Sequence, residues 1–230
     1  MKIKISRLFT ILGIVWLLTG LIVLLVVFWP QISMDVTYLL VDRGIVTNPY
    51  INKEVYKNIV KNLSEIKTDN ALTLILDSLP DSKYNDFGIL IPKIQADAPI
   101  VLNVDPLDIN DYKEALASGI AHANTSVKPG EVGNMFLFAH SGRNFYDSIG
   151  VNVQFYMLDK LEVGDLIIIN FESTKFVYQV KENKVVEQTD IKYMYKDFKL
   201  EAGNKNTLVL MSCWPAGMNI KRQVVIAEQL

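Results

Sequence analysis

Apolar and polar positions along this chain fall into three textures. From Leu8 to Trp29 nearly every position is apolar, interrupted only by glycine and threonine. A helical run of about 22 residues is roughly 33 Å long, enough to cross the hydrocarbon core of a bilayer. Lys2, Lys4 and Arg7 precede it, Phe28 and Trp29 suit the far interface, and Pro30 is expected to end the helix. The positive flank predicts a cytoplasmic N-terminus, with everything after the span on the outer side of a plasma membrane. A cleaved signal peptide would carry a shorter apolar stretch and small residues at the cut. Gln31-Ile-Ser-Met34 offers no such site, so an uncleaved single-pass anchor is the preferred reading.

Residues 31–85 form the second texture, a helical stem. Asn48-Pro49 marks a turn, and Val55, Ile59, Val60, Leu63 and Ile66 recur at helical spacing among Lys, Asn and Glu. A second short helix, Ala71–Leu79, stops at Pro80. The stem reads as a spacer packed on the domain C-terminal to it, and nothing in it suggests a site.

From residue 86 to 230 the texture is that of short strands. Apolar runs at Gly88–Ile94, Ala98–Val104, Ile120–Ala123, Asn134–His140, Leu166–Phe171, Lys175–Val186, Thr207–Met211 and Val224–Ala227 are separated by turn residues. A helix is expected over Asp108–Ser118, with Asp108 as its cap and Gly119 as its stop. Val153–Leu161 reads as a short helical crossover, Glu172-Ser-Thr as a hairpin turn, and Lys192–Asn206 as a polar loop. Many strands with few helices indicate a mostly-β domain, a barrel or a sandwich.

Charge removes one class of partner. Lys and Arg number 23 against 25 Asp and Glu, a net charge of −2, so no basic field exists to attract nucleic acid. The chemistry-bearing inventory is small: two histidines and one cysteine. Cys213, His122 and His140 show no CxxC or HxxxH spacing for zinc. Glu131, Asp147, Glu172, Glu187 and Asp190 lie in or near loops and are calcium candidates, although loop acids are usually just solvated. No organic cofactor is implied, because the glycines form no phosphate-cradling pattern.

A lone cysteine in an exported protein is either a functional thiol or an inert core residue. Cys213 ends one apolar run, His140 ends another, and Arg222 opens the run after Cys213. A thiol needs a neighbouring imidazole or cation to raise its thiolate fraction, and a guanidinium suits a developing oxyanion. If a barrel gathers these ends at one rim, a Cys–His–Arg site results.

These segments resemble those of the sortases, membrane-anchored cysteine transpeptidases of Gram-positive bacteria. The resemblance covers roughly residues 86–230. It rests on Gly88-Ile-Leu-Ile-Pro-Lys-Ile94, Gly119-Ile-Ala-His122 with Pro129-Gly130 and Gly133-Asn134, the strand ending at His140, Leu161-Glu-Val-Gly-Asp165, and the pair Cys213 and Arg222. The family's Thr-Leu-x-Thr-Cys signature falls on Val209-Leu-Met-Ser-Cys213, a Val and a Ser standing where the two Thr would be. The Gly usual before the catalytic His is Ala139, and an Arg follows that His only at Arg143.

The resemblance implies a closed eight-stranded β-barrel, with His140 catalytic, Cys213 the nucleophile and Arg222 positioning substrate. His122 matches a histidine outside that triad. A sortase cleaves a Thr–Gly-like bond in the C-terminal sorting signal of an exported protein, forms a thioacyl-enzyme, and passes the protein to an amine. That amine comes from a peptidoglycan precursor or a pilin lysine. The chain ends just after its last strand and the Val180–Lys192 connection is short, so a housekeeping or a small specialised sortase is expected. The pilus-building type with a C-terminal membrane segment is not. A catalytically inactive envelope-binding β-domain is the alternative. An L,D-transpeptidase, which places a His beside its Cys in Ser-His-Gly-Cys, does not match Met-Ser-Cys213-Trp.

Overall fold

The computed structural model describes residues 2–63, 66, 68–142, 154–198 and 206–230. They form two compact units, Met1–Val46 and Thr47–Leu230.

The first unit is one helix, α1 (Lys2–Asp42). Its segment Phe9–Trp29 has a mean hydropathy of 3.0 with no buried residue, and among the described residues it is the one helix long and apolar enough to cross a membrane. It fits a single-pass anchor. The helix does not stop at Pro30. A proline removes one backbone donor but leaves the following residues free to continue, and they do so through Gln31 to Asp42. The stop is Gly44, at φ +71°, where Ile45 N–H donates to Leu40 C=O and Gly44 N–H to Val41 C=O. Only glycine takes this left-handed turn without strain.

The second unit begins with the stem helices α2 (Lys53–Leu63) and α3 (Asp69–Asp77). Eight strands follow: β1 (Phe87–Ile91), β2 (Ala96–Val104), β3 (Ile120–Ala123), β4 (Asn134–Phe138), β5 (Leu166–Phe171), β6 (Thr174–Glu187), β7 (Thr207–Trp214) and β8 (Lys221–Gln229). They close into a barrel in the order β1-β2-β3-β4-β7-β8-β6-β5. The pairs β2–β3 and β4–β7 are parallel and the rest antiparallel. Helix α4 (Ile109–Ser118) joins β2 to β3, and Asp108 caps it by accepting Asn110 N–H at 2.9 Å.

Strand β5 is apolar on both faces for a visible reason. Leu166 and Ile168, with Leu90 of β1 and Val177 of β6, are covered by Tyr56, Ile59, Val60 and Leu63 of α2. The stem therefore closes one side of the barrel. The β5–β6 turn is a two-residue hairpin with Glu172 at φ 49° and Ser173 at φ 63°, the positive-φ pair that matches strand twist.

Three expectations need correction. Strand β6 covers the expected Lys175–Val186 and ends at Glu187, paired with Lys221, so the segment Val180–Lys192 read as a short connection is mostly strand. Of the expected polar loop Lys192–Asn206, residues 199–205 lie outside the described residues, and 192–198 are not simply polar. A 3-10 turn at Ile191–Met194 buries Tyr193, and Met194 and Phe198 pack beside it on β4, β7 and β8. Of the expected crossover at Val153–Leu161, the described part holds only a 3-10 turn at Leu158–Lys160; Val153 lies outside the described residues.

Candidate active site

Strands β4, β7 and β8 are neighbours, and their register explains the site. Phe136 pairs with Val209, Phe138 with Met211, Met211 with Val224, and Val209 with Ile226. Those residues share one face and form one apolar cluster beneath Tyr193. Side chains alternate along strands, so the same face continues to Cys213 on β7, Arg222 on β8 and His140 two residues beyond β4. Cys213 pairs directly with Arg222. All three line one groove of about 870 Å³, whose walls include Leu107, Tyr112, Leu116, Ile191, Met194 and Met218. Lys113 and Asp190 also stand on it.

The rim is fastened by its loops. Ala139 N–H donates to Met211 C=O at 3.2 Å, extending the parallel pairing past the end of β4. Phe155 N–H donates to His140 C=O at 3.3 Å, and Gly217 N–H to Ser141 Oγ at 3.4 Å. At Gly142 a Cβ would lie 2.6 Å from Gly217 N and 2.7 Å from its Cα, so backbones meet where no side chain fits. The segment carrying His140 is thus clipped to the loop between Cys213 and Arg222.

Within that loop, Asn219 joins the other two groups. Arg222 Nη1 donates to Asn219 Oδ1 at 2.6 Å and to Lys221 C=O at 3.0 Å, and the Cys213 thiol donates to the same Oδ1 across 3.7 Å. Cys213 is half-buried. Burial pushes its thiol pKa up, because a thiolate loses hydration there, and the nearby Arg222 charge pulls it part of the way back. Burial thus favours the thiol over the thiolate.

His122 belongs elsewhere. It pairs with Leu137, whose side chain faces away from Phe136 and Phe138, so the ring lies on the opposite sheet face from Cys213. The ring is fully buried beside Phe87, with Nε2 2.9 Å from Val127 C=O, and Nδ1 accepts Asn103 N–H at 3.5 Å. Burial holds its pKa below the ordinary histidine value. It is a core residue.

Among the acids considered for calcium, Glu187 is paired with Lys221 and Asp190 with Lys192. No group of three possible metal ligands occurs among the described residues. Asp147 and Arg143 lie outside them. Sequence reasoning missed Ser141, Gly142 and Asn219. An isolated Asn or Gly in a loop reads only as a turn, and the contacts that give these residues a role arise between loops distant in sequence.

The family model for the sortase domain matches residues 89–230. The chain belongs to the sortase family. It is accordingly an enzyme of the cysteine-transpeptidase kind, and its barrel is the sortase barrel. Sortase A from Corynebacterium diphtheriae, a lid mutant, superposes with a TM-score of 0.51 at 23% identity, covering 77% of this chain and 94% of that one. Sortase C-1 from Actinomyces oris gives 0.51 at 21% identity, covering 72% and 81%. Sortase C1 of Streptococcus agalactiae, in complex with MTSET, gives 0.51 at 23%, covering 77% and 85%. Identities this low speak for the fold, and the similar structures carry different class letters, so they assign no subclass. No curated protein matches the sequence.

Proposed function

We propose that this sortase uses Cys213 as nucleophile, His140 as acid and base, and Arg222 as the group that holds the substrate carbonyl. The observation that carries the reading is the convergence of these three side chains, from three adjacent strands, on one groove. The substrate is the C-terminal sorting signal of an exported protein, cleaved at a Thr–Gly-like bond, and the acceptor is an amine of a wall precursor or a pilin. With α1 as anchor and Lys2, Lys4 and Arg7 on its cytoplasmic side, the barrel stands outside the membrane, where such substrates emerge.

The chemistry follows from the resting state. Because burial favours the protonated form of Cys213, the sulfur must lose its proton before or during attack, and His140 is the base at the rim that takes it. The sulfur then bonds the carbonyl carbon, and the guanidinium stabilises the oxyanion that forms. As the C–N bond breaks, His140 returns the proton to the leaving amine, leaving a thioester on Cys213. An incoming amine reverses these roles, forming the new amide and restoring the thiol.

The test is to incubate the full-length chain in detergent with a panel of sorting-signal peptides and an amine acceptor, following peptide cleavage and the mass of the Cys213 peptide. A thioacyl adduct on Cys213, abolished by Cys213→Ala, is expected. His140→Ala should lower turnover roughly 10²–10⁴-fold and Arg222→Ala roughly 10²–10³-fold. A folded protein that gives neither cleavage nor adduct with any peptide defeats the proposal.

A further inference from the structure

Arg222 is long and only half-buried, so its side chain needs a partner to hold one position. A guanidinium at a strand start has many rotamers, and only some place it beside the sulfur. Lys221 C=O accepts one bond from Nη1 at 3.0 Å, and Asn219 supplies the side-chain constraint that reaches the sulfur. Its Oδ1 accepts from Arg222 Nη1 at 2.6 Å while standing 3.7 Å from Cys213 Sγ. Those two contacts bound the separation between sulfur and Nη1 at about 6.3 Å.

We infer that Asn219 is a positioning residue of this sortase, its amide oxygen holding the Arg222 guanidinium beside the Cys213 sulfur. The inference rests on the assignment of Cys213 and Arg222 to the reaction and deepens it. The choice of an amide has a physical logic. A carboxylate here would fix the guanidinium equally well but would neutralise it and set a negative charge against a nascent thiolate. An amide oxygen gives orientation and leaves the full positive charge for the substrate oxyanion. Other charged or titratable groups on the groove are His140 after β4, Tyr112 and Lys113 on α4, and Asp190 before the 3-10 turn. Among the described residues, the Arg222 charge is what pulls the thiol pKa down against burial.

Charge-selective alkylation tests this without knowledge of the natural substrate. The full-length chain in detergent is treated with iodoacetate, an anion, and with iodoacetamide, its neutral counterpart, and the ratio of the two rates at Cys213 is measured. A guanidinium beside the sulfur raises the ratio. Arg222→Ala should lower it several-fold, Asn219→Ala should lower it most of the way to that floor, and the double variant should match Arg222→Ala alone. Asn219→Asp, the near-isosteric variant, should lower the ratio and move the alkylation midpoint up by about one pH unit, since it adds a charge close to the sulfur. An unchanged ratio in a folded Asn219→Ala protein, an effect that adds to Arg222→Ala, or an unmoved midpoint in Asn219→Asp overturns the inference. If Arg222→Ala itself leaves the ratio unchanged, the assignment of Arg222 beside the nucleophile fails instead, so the two failures are told apart.

Discussion

Tyr56 of α2 ties the stem to the barrel, and Tyr56→Phe measures that tie. The phenol oxygen accepts Leu166 N–H at 2.9 Å and donates to Asp165 Oδ1 at 3.3 Å. Asp165 also accepts Lys93 Nζ at 2.8 Å and Glu162 N–H at 2.6 Å, both at Oδ2, so its carboxylate keeps its ion pair when the phenol goes and only Oδ1 loses a bond. Leu166 is fully buried, and its amide loses its partner. Leaving a buried donor unsatisfied costs about 1–3 kcal/mol, whereas the ring packing against β5 survives in Phe. The expected loss is therefore about 2 kcal/mol, a fall in Tm of roughly 4–8 °C for a unit of this size. Strand β5 stands opposite β4 in the ring of strands, so turnover well below the melting point should be unaltered. Near-UV circular dichroism of the full chain in detergent gives the melt, and hydrogen exchange at Leu166 gives the local opening. A Tm within about 1 °C of the parent, small against the shift expected for a lost buried bond, with Leu166 still protected, would show that the stem is held by apolar contact alone and refute the argument.

Other consequences concern the active site and the core. Iodoacetamide alkylation of Cys213 should have its midpoint above the ordinary thiol value, and Arg222→Ala should raise it by about 0.5–1 unit, the Coulomb contribution of a unit charge some 6 Å away near solvent; a lowered midpoint would contradict the assigned cause. The pKa of His122 is depressed on folding, so its contribution to stability is full above about pH 6.5 and is lost as pH falls through the folded value. Urea titrations from about pH 7.5 to 5 should show a stability slope of up to about 1.4 kcal/mol per unit from this residue, a component missing in His122→Gln. In Gly142→Ala the added methyl meets Gly217 backbone, and His140 must move relative to Cys213. Turnover should fall at least tenfold, as misplacements of about 1 Å do in other enzymes, while Cys213 still alkylates; full peptide turnover would show that the clip is dispensable.

The legible parts of this chain were those where one property acts alone. The long apolar helix that fits an anchor is a matter of length and hydropathy, and Asp108 caps α4 through its own side chain, so both were evident from local sequence. His140, Cys213 and Arg222 were visible as strand ends because polar side chains interrupt the apolar runs there. What could not be read depends on distant pairing. The stop of α1 was misplaced because proline weakens a helix without ending it. Tyr193 looked like loop polarity, yet its ring lies beneath Lys184 and Lys192, whose ammonium groups stand 5.7 and 5.1 Å from the ring centroid. Asn219 gave no sign at all, since its role exists only once β7 and β8 are paired.

The topology itself accounts for why a histidine after one strand and a cysteine at the end of another meet an arginine at the start of a third. In antiparallel neighbours, one strand ends where the other begins, so two strand ends never share a rim. Only a parallel pair brings two ends together, and β4–β7 is such a pair, joined from Asn134↔Thr207 to Phe138↔Met211. Adding β8 antiparallel to β7 then sets a strand beginning at the same rim, facing Cys213. The barrel has one other parallel pair, β2–β3, and it is followed by a strand that begins far from any cysteine. The order end, end, beginning along the sequence is thus the linear shadow of one parallel pairing beside one antiparallel one. Any change that slips β7 by one residue against β4 would turn Cys213 to the face occupied by His122 and separate it from Arg222's groove.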